Sequence, residues 1–160
     1  MMSIGKHEKP NKGETDIWLT PLDLIRPLGV FDLDPCGESF HKTAKTIYTE
    51  GGLSKDWFGR VWLNPPYSEV EKWLDRLVEH GSGIALVFAR MDVKWAHKIL
   101  PQATSVFFPK WRLYFLTKEL KIKGNAGAPS MFISFGEVPD WTKIGEGLIW
   151  ILKWSLVVKG

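Results

Sequence analysis

Arg60-Val61-Trp62-Leu63-Asn64-Pro65-Pro66-Tyr67 opens the stretch on which the fold turns. An apolar strand runs without a spacer into two prolines. These fix two φ angles and remove two backbone donors, leaving a stiff turn that presents carbonyls outward. Ser68 then reads as a cap for a helix through about Glu79, since Val70, Trp73, Leu74, Leu77 and Val78 recur at helical spacing. Gly81 and Gly83 punctuate it. Ile84-Ala85-Leu86-Val87-Phe88 follows as an unbroken apolar run, the pattern of a strand buried on both faces of a parallel sheet.

Toward the N-terminus, Val30 to Asp34 and Thr46 to Thr49 read as two short strands, closed by Pro35-Cys36-Gly37 and by Glu50-Gly51-Gly52. Before them, Thr20 is expected to cap a short helix with Pro21 at its first position and Gly29 at its end. Toward the C-terminus, Asp92 to Leu100 reads as a helix ended by Pro101, with Asp92 as its cap. Ser105 to Phe108 and Ser130 to Phe135 supply two more strands. Strands alternating with helices predict an α/β fold with a mostly parallel sheet flanked by helices. The chain is read as one domain over 16–160, preceded by a flexible polar arm over 1–15. Ligands of such sheets gather at the carboxyl ends of strands, where the turns after Asp34 and after Leu63 both fall.

Composition narrows the classes. At 160 residues and 44% hydrophobic content the chain suits one soluble globular core. The single cysteine, Cys36, excludes an internal disulfide and a cysteine-based zinc site, and fits a reducing cytoplasm. The longest apolar segment, Leu148 to Val158, is too short for a membrane span and carries Lys153 and Ser155. His7, His41, His80 and His97 lack ligand spacing, so no metal is expected. Oligomeric state is left open, with a monomer favoured.

The Asn64-Pro65-Pro66-Tyr67 turn carries the strongest chemical signal. It aims an amide, a rigid carbonyl and an aromatic face into one small volume, which suits a planar substrate bearing an exocyclic NH2. The Asn64 oxygen and the Pro65 carbonyl can each accept one N–H while Tyr67 stacks on the ring. Holding both hydrogens this way localises the nitrogen lone pair for attack on an electrophilic methyl group. The bland reading is a strand-to-helix turn with Asn64 capping. Asp34-Pro35-Cys36-Gly37 can hold an ammonium and admit a cofactor close to the backbone, or can simply be a β-turn. Cys36 reads as a packing residue rather than a nucleophile. No glycine-rich phosphate loop occurs.

A net charge of +3 permits nucleic-acid binding without demanding it. Lys110, Arg112, Lys118, Lys121 and Lys123 cluster together, interleaved with Trp111, Tyr114 and Phe115, a mixture suited to phosphates and stacked bases. A solvated basic loop beside a strand is the alternative.

Asp34-Pro35-Cys36-Gly37, followed 30 positions later by Asn64-Pro65-Pro66-Tyr67, resembles the amino-methyltransferases of the Rossmann-like class I group that use S-adenosylmethionine. Trp18-x-Thr20-Pro21, Phe31-x-Leu33-Asp34, Gly52-Leu53-x-x-Asp56-Trp57 and Trp111-Arg112-Leu113-x-Phe115 extend the likeness over residues 16–136 to the small phage-type DNA N6-adenine methyltransferases. Trp111 stands where that family usually has glycine. The resemblance implies S-adenosylmethionine as cofactor and adenine in DNA as substrate, flipped out of the helix to reach the pocket. It implies catalysis by Asn64, Pro65, Pro66 and Tyr67. Cofactor contacts would come from Thr20, Pro21, Asp34, Pro35, Cys36 and Gly37, with Glu50 on the ribose and Asp56 at the cofactor's adenine. Lys110, Trp111, Arg112, Lys121 and Lys123 would meet DNA. The turn itself suits any planar NH2, so an RNA amino group or a protein glutamine amide stays open as substrate. A non-catalytic nucleic-acid-binding module with a decayed pocket is the rival from another class.

Overall fold

A computed structural model describes residues 18–152. The arm expected over residues 1–15, and Lys153, Trp154, Ser155 and Val158, lie outside them. In chain order the elements are α1 (Leu22–Ile25), β1 (Leu33–Asp34), β2 (Thr46–Ile47), β3 (Val61–Leu63), α2 (Val70–His80), β4 (Gly83–Phe88), α3 (Lys94–Ile99), β5 (Ser105–Pro109), β6 (Tyr114–Leu116), β7 (Ile122–Asn125), β8 (Ser130–Phe135) and β9 (Gly147–Ile151). The architecture is mixed α/β. A seven-stranded sheet has the order β2-β1-β3-β4-β8-β5-β9, and β6 and β7 pair as a separate hairpin.

The sheet is less parallel than the strand–helix alternation predicts. From β2 through β4 every ladder is parallel, whereas β8 pairs antiparallel with both β4 and β5, and β9 antiparallel with β5. Five strands therefore point one way, with β8 and β9 reversed. Apolar runs report burial, not direction, so Ser130 to Phe135 reads alike either way.

The β4 run shows why the core has two halves. Ala85 and Val87 join one apolar cluster with Val61, Leu63, Ile133 and the inner faces of α2 and α3. Ile84 and Leu86 join the other with Trp62, Phe107, Phe132 and Trp141. Alternate residues of a strand point to opposite faces, so a continuous apolar run is required where both are covered. On α2, Val70, Trp73, Leu74 and Leu77 are buried at helical spacing, each contributing roughly 1.5–3 kcal/mol from apolar burial. Gly81 ends the helix with φ +79°, a left-handed value that favours glycine.

Several helix ends differ from expectation. Pro21 is the cap residue of α1 rather than its first helical position, and Thr20 makes no capping bond. Ser68 lies inside a 3-10 turn, Tyr67–Glu69, that precedes α2. Val93, not Asp92, precedes α3, and Pro101 sits within the 3-10 turn Leu100–Gln102 that prolongs it. In each case backbone turns satisfy the helix end that a side chain was expected to serve.

The C-terminal segment packs on the core through Trp141. Its ring stacks on Phe107 with centroids 5.5 Å apart, and its Nε1 donates to Ser105 Oγ at 3.1 Å. Trp150, on edge strand β9, stays exposed against Phe108. No helix of the described residues is long and apolar enough to cross a membrane.

Candidate functional site

Because β1, β3 and β4 are parallel, their carboxyl ends open on one side, at Asp34, Leu63 and Phe88. The reversed β8 brings its amino end, Ser130, to the same side. Above these ends lies a cavity of about 810 Å³, within the range usual for ligand sites. The structure brings together around it Thr20, Asp34, Pro35, Cys36, Gly37, Glu50 and the whole Asn64-Pro65-Pro66-Tyr67 turn. Pro21 and Asp56 lie outside the lining. So do Lys110, Trp111, Arg112, Lys121 and Lys123.

The turn divides the cavity. On one side are Asp34 to Gly37, Gly52 and Trp73, against the cluster that holds α2. On the other are Trp18, Phe88, Phe115 and Ser130, the three aromatic rings packing against the cluster that holds Trp62. Asn64 touches both halves. Its backbone carbonyl accepts from Cys36 Sγ at 3.5 Å, and its Nδ2 donates to the Trp18 carbonyl at 2.7 Å and to Thr20 Oγ1 at 3.2 Å. A carbonyl can only accept, so these bonds fix which end of the amide is NH2. Oδ1 is left without a partner among the described residues. His41, buried behind this contact, hydrogen-bonds the Thr20 carbonyl through Nε2 at 2.7 Å. It is a packed histidine in the cavity wall.

Tyr67 stacks on Phe88 with centroids 4.4 Å apart and planes 25° from parallel. Its hydroxyl accepts from the Phe88 backbone N–H. Burial pushes the phenol up, against weaker lowering by that bond and by the nearby Arg90. The phenol is therefore neutral, and its ring is anchored at both edge and face.

Asp34 is 3% exposed. One carboxylate oxygen accepts from the Cys36 N–H at 3.1 Å and the other from the Thr43 hydroxyl. Desolvation raises its carboxyl to about 6, against the opposing pull of the Thr43 and Cys36 bonds. No cation pairs with it among the described residues. The glycines around it are there for close approach. A Cβ on Gly37 would lie 2.5 Å from an Asp34 oxygen, and one on Gly52 only 1.8 Å from the Pro35 carbonyl oxygen. Trp57 Nε1 donates to the Gly52 carbonyl at 2.8 Å and pins that turn. Cys36 is held far above the usual thiol range, first by burial and then by Asp34, which suits packing and not nucleophilic attack.

Several wall residues carry no signature in the sequence by themselves. Thr43, Phe88, Arg90 and Ser130 are ordinary residues until the sheet brings strand ends together. Gly52 was legible as the close of a strand and as part of the family likeness, not as a wall of the cavity. Of the basic segment, Lys123 lies with Nζ 4.1 Å from the ring centroid of Trp18, a residue of the cavity wall that in turn meets Phe115 edge-on. Lys110 pairs with Glu146 at 3.0 Å. Trp111 packs against Phe107, and Arg112 and Lys121 are exposed. The described residues contain no group of histidine, cysteine and acidic side chains able to hold a metal ion.

Comparison with known proteins adds two findings. A family model described as DNA N-6-adenine-methyltransferase (Dam) matches residues 7–145. A curated protein of Escherichia phage T1, named DNA N-6-adenine-methyltransferase, is 30% identical over 132 residues, covering 75% of this chain and 53% of that protein. The chain thus spans about half the length of the curated relative it matches. No solved structure matches.

Proposed function

The chain belongs to the DNA N-6-adenine-methyltransferase family, and from that premise we propose that it transfers the methyl group of S-adenosylmethionine to N6 of an adenine flipped out of DNA. The carrying observation is the Asn64 amide, whose NH2 is tied to the Trp18 carbonyl and whose Oδ1 has no partner among the described residues, in the turn that also carries the Pro65 carbonyl. Two acceptors on consecutive residues at a strand end fit the two hydrogens of an exocyclic amino group. Asn64 Oδ1 and the Pro65 carbonyl each take one N–H, and the lone pair is directed toward the other half of the cavity. Tyr67, backed by Phe88, offers its remaining face to the base. The turn is preorganised by two prolines and four hydrogen bonds, so positioning supplies the rate.

The Asp34 half suits the cofactor. A buried carboxylate without a counter-ion is unfavourable alone and fits a cationic ligand such as the ammonium of a methionine moiety. Trp73 Nε1, buried and unpartnered among the described residues, lines the same half. Gly37 and Gly52 leave room where a Cβ would intrude, and exposed Glu50 at the rim can accept from ribose hydroxyls. When bound, the cofactor supplies the electrophilic methyl group. We read the sheet as Rossmann-like class I over a domain spanning 16–160, supported by five strands pointing one way with β8 reversed between β4 and β5. The exposed Arg112 and Lys121 and the half-buried Lys123 are placed to meet DNA phosphates, whereas Lys110 must first leave Glu146.

Asn64→Ala and Tyr67→Ala test the reading. Each should abolish methyl transfer to DNA from labelled S-adenosylmethionine while the far-ultraviolet circular dichroism spectrum stays that of the wild type. Undiminished transfer by both variants refutes the mechanism.

A further inference from the structure

Ser130 stands at the amino end of β8, in register with Phe88 of β4. The residue is 5% exposed and lines the cavity, and its Oγ has no hydrogen-bond partner among the described residues. A buried hydroxyl gives up its water and receives nothing here in exchange, so few native structures keep one unless a ligand completes it. Residues directly opposite in an antiparallel ladder project from the same face. The Ser130 hydroxyl therefore shares a face with the Phe88 ring, on which Tyr67 stacks. Asp34 lies across the Asn64 turn, in the other half.

We infer that Ser130 is a base-recognition residue, whose hydroxyl donates a hydrogen bond to a ring nitrogen of the extruded adenine. The inference rests on the methyltransferase reading above and deepens it. Its direction follows from the chemistry of the base. The amino group holds the donors that adenine offers once N9 is joined to sugar, and Asn64 and Pro65 occupy both of them. What remains on the ring for Ser130 is a set of acceptors, N1, N3 and N7. The Ser130 hydroxyl is buried in that half with its proton uncommitted, whereas the Tyr67 hydroxyl, also a donor, is held at the Phe88 backbone.

The test uses the full chain and oligonucleotides carrying an adenine that the wild-type protein methylates. In parallel substrates that adenine is replaced by its 1-deaza, 3-deaza or 7-deaza analogue, each lacking one acceptor. Ser130→Ala should lower kcat/KM on adenine about 2- to 13-fold, the size expected for one hydrogen bond. With one of the deaza substrates, wild type and variant should become equal. The melting temperature of the variant should equal or exceed that of the wild type, because an unsatisfied hydroxyl has been removed. Equal kcat/KM on adenine, a deficit undiminished on all three analogues, or a lowered melting temperature each overturns the inference. Methylation by wild type and variant alike removes this inference and leaves the methyltransferase reading standing. Absence of any methylation by the wild type removes both.

Discussion

Lowering the pH from 7 to 5 should weaken binding of S-adenosylhomocysteine, which keeps the methionine ammonium but has no methyl group to transfer. The carboxyl of Asp34 titrates at about 6 because burial disfavours its charge more than the Thr43 hydroxyl and Cys36 N–H favour it. Only the ionised form attracts the ammonium, so at pH 5, where about a tenth of it is ionised, affinity should be about tenfold below its plateau. The sign for stability runs with it. A folded-state value above the ordinary 3.8 means that the ligand-free fold holds its proton more tightly than the unfolded chain. Stability is then greatest below pH 4 as far as this group is concerned, and falls by about 3 kcal/mol as the pH rises from about 4 to about 6. A bound cation offsets that loss. Isothermal titration calorimetry of wild type and Asp34→Asn across pH 5–7 isolates the effect, since His41 and Glu50 remain in the variant. Asp34→Asn should bind weakly and with little pH dependence. A flat wild-type profile, or the same slope in both proteins, refutes the role given to Asp34.

Gly52→Ala places a methyl group 1.8 Å from the Pro35 carbonyl oxygen, a backbone atom that cannot swing away. It should destabilise by about 1–3 kcal/mol, lowering the melting temperature by roughly 2–12 °C, and weaken cofactor binding by displacing the Asp34 to Gly37 turn; a wild-type melting curve contradicts the close approach. Thr20→Val keeps the shape of the side chain and removes the hydroxyl that accepts from Asn64 Nδ2. It should lower kcat about tenfold with cofactor affinity retained, and Thr20→Ser should restore it. Weakened cofactor binding with unchanged kcat would instead place Thr20 on the cofactor.

The strand–turn–helix–strand stretch over residues 60–88 was legible because each signal there is local. Two prolines end β3, helical spacing marks α2, and an unbroken apolar run marks β4. The site followed from the same logic, since a parallel sheet places Asp34 and Asn64 at neighbouring strand ends. Strand direction was not legible, and with it went Ser130, which reaches the cavity only because β8 runs backward. The β6–β7 hairpin was hidden by its charges, which read as a basic, aromatic segment for nucleic acid, with a solvated loop as the alternative; its pairing depends on partners eleven residues apart, Tyr114 and Asn125. Nor could sequence show that Trp18 contributes its backbone carbonyl to orient Asn64, because a carbonyl is common to every residue. The reversed role of Thr20, bonding Asn64 instead of capping α1, has the same origin: a hydroxyl serves whichever donor the tertiary fold brings near.

The central claim is that the Asn64 turn presents an adenine amino group to a methyl donor. The most direct measurement incubates the protein with DNA and isotopically labelled S-adenosylmethionine, digests the DNA to nucleosides and separates them by liquid chromatography with mass detection. Label should appear in N6-methyldeoxyadenosine with the wild-type protein and be missing with Asn64→Ala. Label in another nucleoside, or none in DNA from a protein that binds the cofactor, would contradict it.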